Sequence, residues 1–452
     1  MRFAMKERLK RSYDSKYQQS MNPFKRIENV LLKNGIIIDQ EKKKTFQHDI
    51  LIVKGKIERI GEILEKNFRG EIVDLSGKTV VPGLLDMHVH FREPGREDEE
   101  TLMTGAAAAA AGGFTGVCTM PNTEPATDNK EIVEFIADKF KNHLVDVYPI
   151  AAITIGRYGK QLVEMAELVD AGVAAFSDDG TSVADSQLLK RALEYSRMFD
   201  VPIIEHCEDR QLAADGSMNE GYMSTKLGLT GIPSVAEEII VARNIMLARY
   251  TGGKIHIAHV STAGSVELIR RAKEEGIQVT CEVTPHHFTL TDEAVAAYDT
   301  NMKMNPPLRT SKDVEAIIAG LKDGTIDVIA SDHAPHSAEE KEVEFITAPF
   351  GIIGLETAVG LAITQLVDKN NFSLIEVIEK LSFNPYRVLG LNLPKITEGA
   401  KANLTILDTK TEWTVDRNDF KSRSKNSPFH EYKLKGRSDG VLNNNFLFIN
   451  EE

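Results

Sequence analysis

Apolar and polar residues follow two textures along this chain. Near the start, short apolar runs (Val30-Leu31-Leu32, Ile36-Ile37-Ile38, Ile50-Leu51-Ile52-Val53 and Ile57 to Ile60) are punctuated by Gly35, Gly55 and Gly61. This predicts short strands and tight turns. The same texture returns at Ala402 to Asp408 and again at 441–449. Between these ends, apolar runs predict eight strands, at 79–90, 113–120, 145–153, 173–177, 201–206, 254–260, 278–283 and 327–331. Amphipathic stretches at 101–111, 131–141, 186–199, 234–250 and 265–275 predict helices between them. Alternating strands and helices indicate an α/β fold with a parallel sheet. Eight such units can close into a (β/α)8 TIM barrel, typically about 250 residues long. The expected organisation is a barrel over 79–394 and a small β-sandwich-like domain assembled from both chain ends, 27–78 and 395–452. Residues 1–26, polar and basic-leaning, are expected to be a flexible extension. The run Ala106 to Ala111 would let one helix lie close to its neighbours.

Composition narrows the function classes. The 452 residues are 42% hydrophobic and 27% charged, ordinary for a globular protein. A net charge of −13 argues against nucleic-acid and anionic-membrane partners. It also means that an anionic substrate needs local positive charge at its site. Cys118, Cys207 and Cys281 are too few and too dispersed for a disulfide framework. They fit a reducing compartment, so a cytoplasmic location is expected. No apolar run approaches membrane-span length, and the first residues lack a secretory core.

The chemistry gathers at predicted strand ends, where a barrel of this kind places its reactive groups. Asp86-Met87-His88-Val89-His90 puts two histidines on one face, with Cα atoms roughly 6–7 Å apart. Asp86 shares that face and could orient a ring from behind. Later strands end at Asp178-Asp179, His206, His259, His286-His287 and Asp332-His333. The set His88, His90, Asp179, His206, His259 and Asp332 offers nitrogen and carboxylate oxygen without sulfur. That donor set suits Zn²⁺, with Mn²⁺ or Co²⁺ as substitutes. Two histidines on each of two metals leave a carboxylate to bridge. Asp332 could bind a metal and move a proton. The lesser features have plain readings. Cys207 packs in the core, Glu205 and Glu208 serve packing and solvation, and His286 and His287 are structural or lie behind the site, with contact by one of them the alternative. Ser177 lacks triad partners, the apolar stripe of 236–250 faces the barrel, and Glu339-Glu340-Lys341-Glu342 is a solvated loop.

Taken together, Asp86 to Gly95, Met120-Pro121-Asn122-Thr123, Lys303 to Arg309, Ala330 to His336 and Ala348-Pro349-Phe350-Gly351 resemble, in order, the motifs of class I, bacterial-type dihydroorotases of the amidohydrolase superfamily. The resemblance runs from about Val30 to beyond Pro428. It implies a binuclear zinc enzyme that reversibly cyclises N-carbamoyl-L-aspartate to (S)-dihydroorotate in pyrimidine biosynthesis. It implies that His88 and His90 bind one zinc and His206 and His259 the other. Asp332 is implied to be both ligand and general acid/base beside a zinc-bound hydroxide. Many relatives bridge their metals with a modified lysine; here the class I pattern points to Asp179, with Asp178 the alternative. Arg92 would clamp a carboxylate through its bidentate fork, which also answers the charge problem. His90, Asn122, Asn305, His336, Phe350 and Gly351 match positions that hold the substrate. A homodimer is usual in such a family, and association with aspartate transcarbamoylase is an open expectation. The rival readings are an allantoinase or hydantoinase-type cyclic amidase, or a non-catalytic partner of aspartate transcarbamoylase.

Overall fold

Eight parallel strands carry the middle of the chain: β1 (Leu84–Val89), β2 (Phe114–Thr119), β3 (Asp146–Ala151), β4 (Ala175–Ser177), β5 (Ile203–Glu205), β6 (Ile255–Ile257), β7 (Val279–Val283) and β8 (Val328–Ile329). The computed structural model describes residues 24–40, 42–63 and 68–450. Each strand pairs with its neighbour in chain order. The ring closes where Val89 pairs with His333, just past β8, and the His90 N–H donates to the His333 carbonyl at 2.9 Å. Six strands are buried along their whole length. Burial on both faces explains why they read as continuous apolar runs rather than alternating ones. The barrel with a sheet-rich terminal unit agrees with the expected architecture.

Capped helices flank the strands. Ser186–Arg197 starts at Asp185, whose carboxylate accepts from the Gln187 and Leu188 amides, and turns Leu188, Leu189, Ala192 and Leu193 inward. Such a cap contributes about 1 kcal/mol. The alanine-rich helix Leu102–Gly112 begins at Thr101, whose hydroxyl accepts from the Thr104 amide. Its small side chains let it lie against the helix Leu355–Ala362 and against the strand Lys433–Asn443 of the terminal sheet. The helix Val235–Thr251 buries Ala236, Ile240, Val241, Ile245 and Ala248, as its apolar stripe predicted. It also leaves Val235, Ile239, Met246 and Tyr250 exposed.

The run 79–90, expected as one strand, is two. Thr79–Pro82 joins a seven-stranded sheet, and the barrel strand starts only at Leu84. The break falls at Gly83, where a Cβ would stand 1.8 Å from Asn403 Oδ1 and 2.2 Å from Thr115 Oγ1. Thr79–Pro82 lies between Leu404–Thr414, antiparallel, and Ile36–Asp39, parallel. A second sheet of four strands runs Lys56–Gly61, Asp49–Val53, Asn29–Lys33, Glu71–Asp74. Both chain ends feed one apolar core that includes Val30, Leu32, Ile37, Ile52, Leu404, Ile406 and Leu442. Of the expected extension, Lys25–Arg26 pairs with the strand Phe446–Ile449. Residues 1–23 lie outside the described residues. No helix among the described residues is long and apolar enough to cross a membrane.

Candidate active site

The C-terminal ends of five strands aim their side chains at one point. His88 and His90 come from the end of β1, Asp179 follows β4, His206 follows β5, His259 follows β6 and Asp332 follows β8. All six are buried. His259 and Asp332 hold left-handed backbone, at φ 30° and 49°, and so does Arg92 at 56°. Such conformations cost roughly 1–3 kcal/mol each in a non-glycine residue and cluster at functional sites.

The hydrogen bonds orient the rings. His88 Nδ1 lies 2.6 Å from Glu282 Oε1, and His90 Nδ1 lies 2.7 Å from Asn122 Oδ1. Each ring satisfies its acceptor by placing its proton on Nδ1, which leaves an Nε2 lone pair pointing inward. His88 Nε2 then faces Asp179 Oδ1 at 3.3 Å and Asp332 Oδ1 at 3.5 Å. His90 Nε2 faces Asp332 Oδ1 at 3.1 Å and Asp179 Oδ2 at 3.5 Å. In neutral rings these are lone pairs set against carboxylate oxygens, an arrangement that calls for a cation between them. On the far side, His206 Nδ1 stands 2.9 Å from His259 Nε2, which is 3.7 Å from Asp179 Oδ1.

Two groups able to hold a metal ion result, His88–His90–Asp179 and Asp179–His206–His259, and Asp179 belongs to both. His88 Nε2 and Asp179 Oδ1 are buried without a hydrogen-bond partner among the described residues. Convergent nitrogen and oxygen donors, unsatisfied and without sulfur, fit a borderline metal such as zinc. Asp178 is occupied elsewhere: it accepts from the Ile153 and Thr154 amides at 2.8 and 3.0 Å and from Thr154 Oγ1.

Charge follows this geometry. Burial alone would raise the Asp332 carboxyl, but His88, His90 and His259 outweigh it and hold Asp332 below the usual carboxylate range. Asp179 is lowered in the same way, its burial overcome by His88, His259 and His90. Burial pushes His90 down, and burial with the neighbouring His259 does the same to His206, whereas the Asp179 and Asp332 carboxylates raise His88 and His259 against their burial. Neutral imidazole is the form that binds metal.

Above this floor opens a cavity of about 240 Å³. Its walls include His90, Arg92, Asn122, Asn305, His336, Phe350 and Gly351, every residue expected to hold a substrate, along with Asp179, His206, His259 and Asp332. His88 lies beneath, fully buried. Arg92 Nε is fixed by Glu99 at 3.1 Å and the Pro335 carbonyl at 3.2 Å. Asn305 Nδ2 donates to Glu208 Oε2 at 2.8 Å. His336 is held between Glu99 Oε1 at 3.0 Å and the Phe350 carbonyl at 2.8 Å.

Comparison with known proteins gives the family of the chain. A family model described as Dihydro-orotase-like matches residues 77–265. The dihydroorotase of Acetivibrio thermocellus is 52% identical over 424 residues, covering 94% of this chain and 99% of that protein. The chain belongs to the dihydroorotase family. A second member, the dihydroorotase of Pelotomaculum thermopropionicum, is 53% identical over 408 residues, 90% of this chain and 95% of its own. Among solved structures, the L-hydantoinase of Arthrobacter aurescens superposes with a TM-score of 0.83 at 24% identity, covering 94% of this chain and 98% of that one. At that identity the likeness concerns the fold. The chain is thus a cyclic-amidohydrolase-type enzyme built on the family's barrel.

Several side chains depart from their expected places. Asp86 orients no ring. It accepts from the backbone amides of His88 and Ser331, tying β1 to the end of β8, and burial raises its carboxyl to about 7. The residue behind His88 is Glu282, a carboxylate on β7 shared with His256 Nε2 at 3.3 Å. A glutamate inside the short strand 279–283, next to Cys281 and Val283, was the available signal. Glu208 bonds to a cavity residue, and Glu205 is buried against Arg243 and Asn244. His287 is structural, bonded to Thr284 Oγ1 and the Pro306 carbonyl. The solvated loop expected at 339–342 is instead a short helix, Ala338–Lys341, and Lys341 is buried. Cys207 packs in the core as expected.

Proposed function

We propose that this chain is a zinc-dependent dihydroorotase that reversibly cyclises N-carbamoyl-L-aspartate to (S)-dihydroorotate in pyrimidine biosynthesis. The observation that carries this reading is a carboxylate, Asp179, shared by two histidine pairs at the floor of a cavity walled by Arg92, Asn122, Asn305 and His336. In this reading His88 and His90 would hold one zinc ion and His206 and His259 the other, with Asp179 shared between the two groups and Asp332 completing the set. Bound zinc would supply Lewis-acid polarisation and lower the pKa of water toward neutrality. The remaining work belongs to the chain's own groups. Arg92 takes the substrate carboxylate in its guanidinium fork, and its Nε bonds hold that fork at the wall. Asn122, Asn305 and His336 orient the ring, and the Phe350–Gly351 main chain borders its far side. Asp332 is ionised at neutral pH. In the hydrolytic direction it accepts a proton from the attacking water and delivers it to the departing ring nitrogen. Cyclisation runs the same transfers backward.

Buried free thiols at Cys118, Cys207 and Cys281 support a cytoplasmic location. The exposed stripe of Val235, Ile239, Met246 and Tyr250 supports a homodimer. The decisive assay sets dihydroorotate beside dihydrouracil, hydantoin and allantoin. Dihydroorotate is expected to be favoured by about 100-fold or more in kcat/KM, because only it offers a carboxylate to Arg92. Faster turnover of an uncharged ring would replace this reading with a hydantoinase one. Zinc content near two per chain in active protein would support the metal count.

A further inference from the structure

Two buried lysines, Lys303 and Lys341, flank the cavity without lining it; they are 3% and 5% exposed. Burying an ammonium without a counter-charge is costly. Among the described residues, the hydrogen bonds of both ammonium groups go to main-chain carbonyls. Lys303 Nζ donates to Phe345 at 2.9 Å and Ile346 at 2.7 Å. Lys341 Nζ donates to Pro349 and Gly351, each at 3.0 Å. All four acceptors lie within seven residues, 345–351, a segment with no helix or strand of its own. That segment supplies Phe350 and Gly351 to the cavity wall, and the Phe350 carbonyl meets His336 Nε2. Further ties run the same way. The Gly351 amide donates to the Lys303 carbonyl at 3.0 Å, and Lys303 Nζ sits 4.7 Å from the centre of the Phe350 ring. Burial lowers both ammonium groups, Lys341 to about 7 with the Lys303 charge adding to the effect and Asp299 and Glu340 opposing it, so the Lys341 group is fully charged only below that pH.

We propose that Lys303 and Lys341 are positioning residues: from outside the pocket, their ammonium groups clamp the 345–351 main chain so that Phe350 and Gly351 meet the substrate in a fixed geometry. This rests on the dihydroorotase reading for the identity of the substrate, but not for the clamp itself. A charged donor holding two carbonyls is stronger than a neutral one. A loosened wall mispositions a ligand without removing any group that reacts.

The test combines steady-state kinetics on dihydroorotate with hydrogen exchange of segment 345–351 in the metal-loaded enzyme. The variants are Lys341→Met, Lys303→Met and the softer Lys341→Gln, which keeps donor hydrogens but not the charge. In each methionine variant we expect exchange across 345–351 to quicken by about tenfold or more and KM to rise about tenfold, with kcat changed less than about threefold. Lys341→Gln should fall between wild type and Lys341→Met. Unchanged exchange and KM in a folded variant would overturn the clamp, and so would a kcat loss as large as the KM rise. If a methionine variant does not fold, Lys341→Gln still decides by the same two readouts. Wild-type protein inert toward dihydroorotate would sink the functional reading alone, because the exchange measurement judges the clamp without substrate.

Discussion

Glu282 shows how one buried side chain can govern the histidine that it stands behind, a ligand in the proposed metal site. Its carboxylate fixes the proton of His88 on Nδ1 and raises the electron density of the ring. Replacing it by glutamine keeps the shape and removes the charge. Glu282→Gln is expected to weaken metal binding by about 10–100-fold, read by chelator competition; an unchanged affinity would reduce Glu282 to packing. Asp332 is placed differently, at the cavity wall and near His88 and His90 at once. An asparagine there cannot carry the proton. Asp332→Asn should lower turnover by about 10²–10⁴-fold in protein that still shows the native circular dichroism spectrum. Wild-type turnover would remove Asp332 from proton transfer.

Among the elements, the helix Leu102–Gly112 is held on several sides. It is buried through Leu102, Ala106, Ala108, Ala109 and Ala110, and ends at Gly113 with left-handed backbone, φ 95°. At Gly112 a Cβ would stand 2.2 Å from the Leu355 carbonyl oxygen, a main-chain atom at the start of the next helix. Neither helix can yield without disturbing the terminal sheet on which both pack. Gly112→Ala should therefore lose about 1–3 kcal/mol, despite alanine's better helix propensity, and thermal melting checks it. A rise in Tm would mean the two helices separate more easily than their packing implies. The β strands behave otherwise. β4, β5 and β6 are only three residues long, so each serves chiefly to deliver one site residue to the rim.

Considered whole, the protein must draw an anion toward a chain of net charge −13. Arg92 and the histidine-rich floor gather the opposing charge inside one cavity. The catalysed reaction also carries a pH signature. Ring closure turns a substrate carboxylate into a ring amide and so takes up one proton. The ratio of cyclic to open product should fall about tenfold for each unit of rising pH above the carboxylate range. Letting the enzyme bring either compound to equilibrium between pH 6 and 8 measures this, and a pH-independent ratio would mean that another reaction is being catalysed.

Much of this was legible in the primary structure. Apolar runs marked eight strands, six of them buried along their whole length, because a strand covered on both faces has no polar side to show. Histidine and aspartate at the ends of those runs marked the rim, because the barrel topology sends every strand end to the same place. Short-range pattern could not say where Thr79–His90 divides. That break at Gly83 sits against Asn403 and Thr115, which the C-terminal segment and the neighbouring barrel strand bring to it. Nor could it separate Asp86, Asp178 and Glu282 by role. All three are buried acids near the site, and only the partners brought by other strands distinguish an inter-strand tie, a loop anchor and the support of a ring. Lys341, in an acidic surface-like run, is the plainest case. Periodicity along a chain reports which side of an element is apolar, whereas a buried charge is decided by carbonyls eight and ten residues away that fold back to receive it.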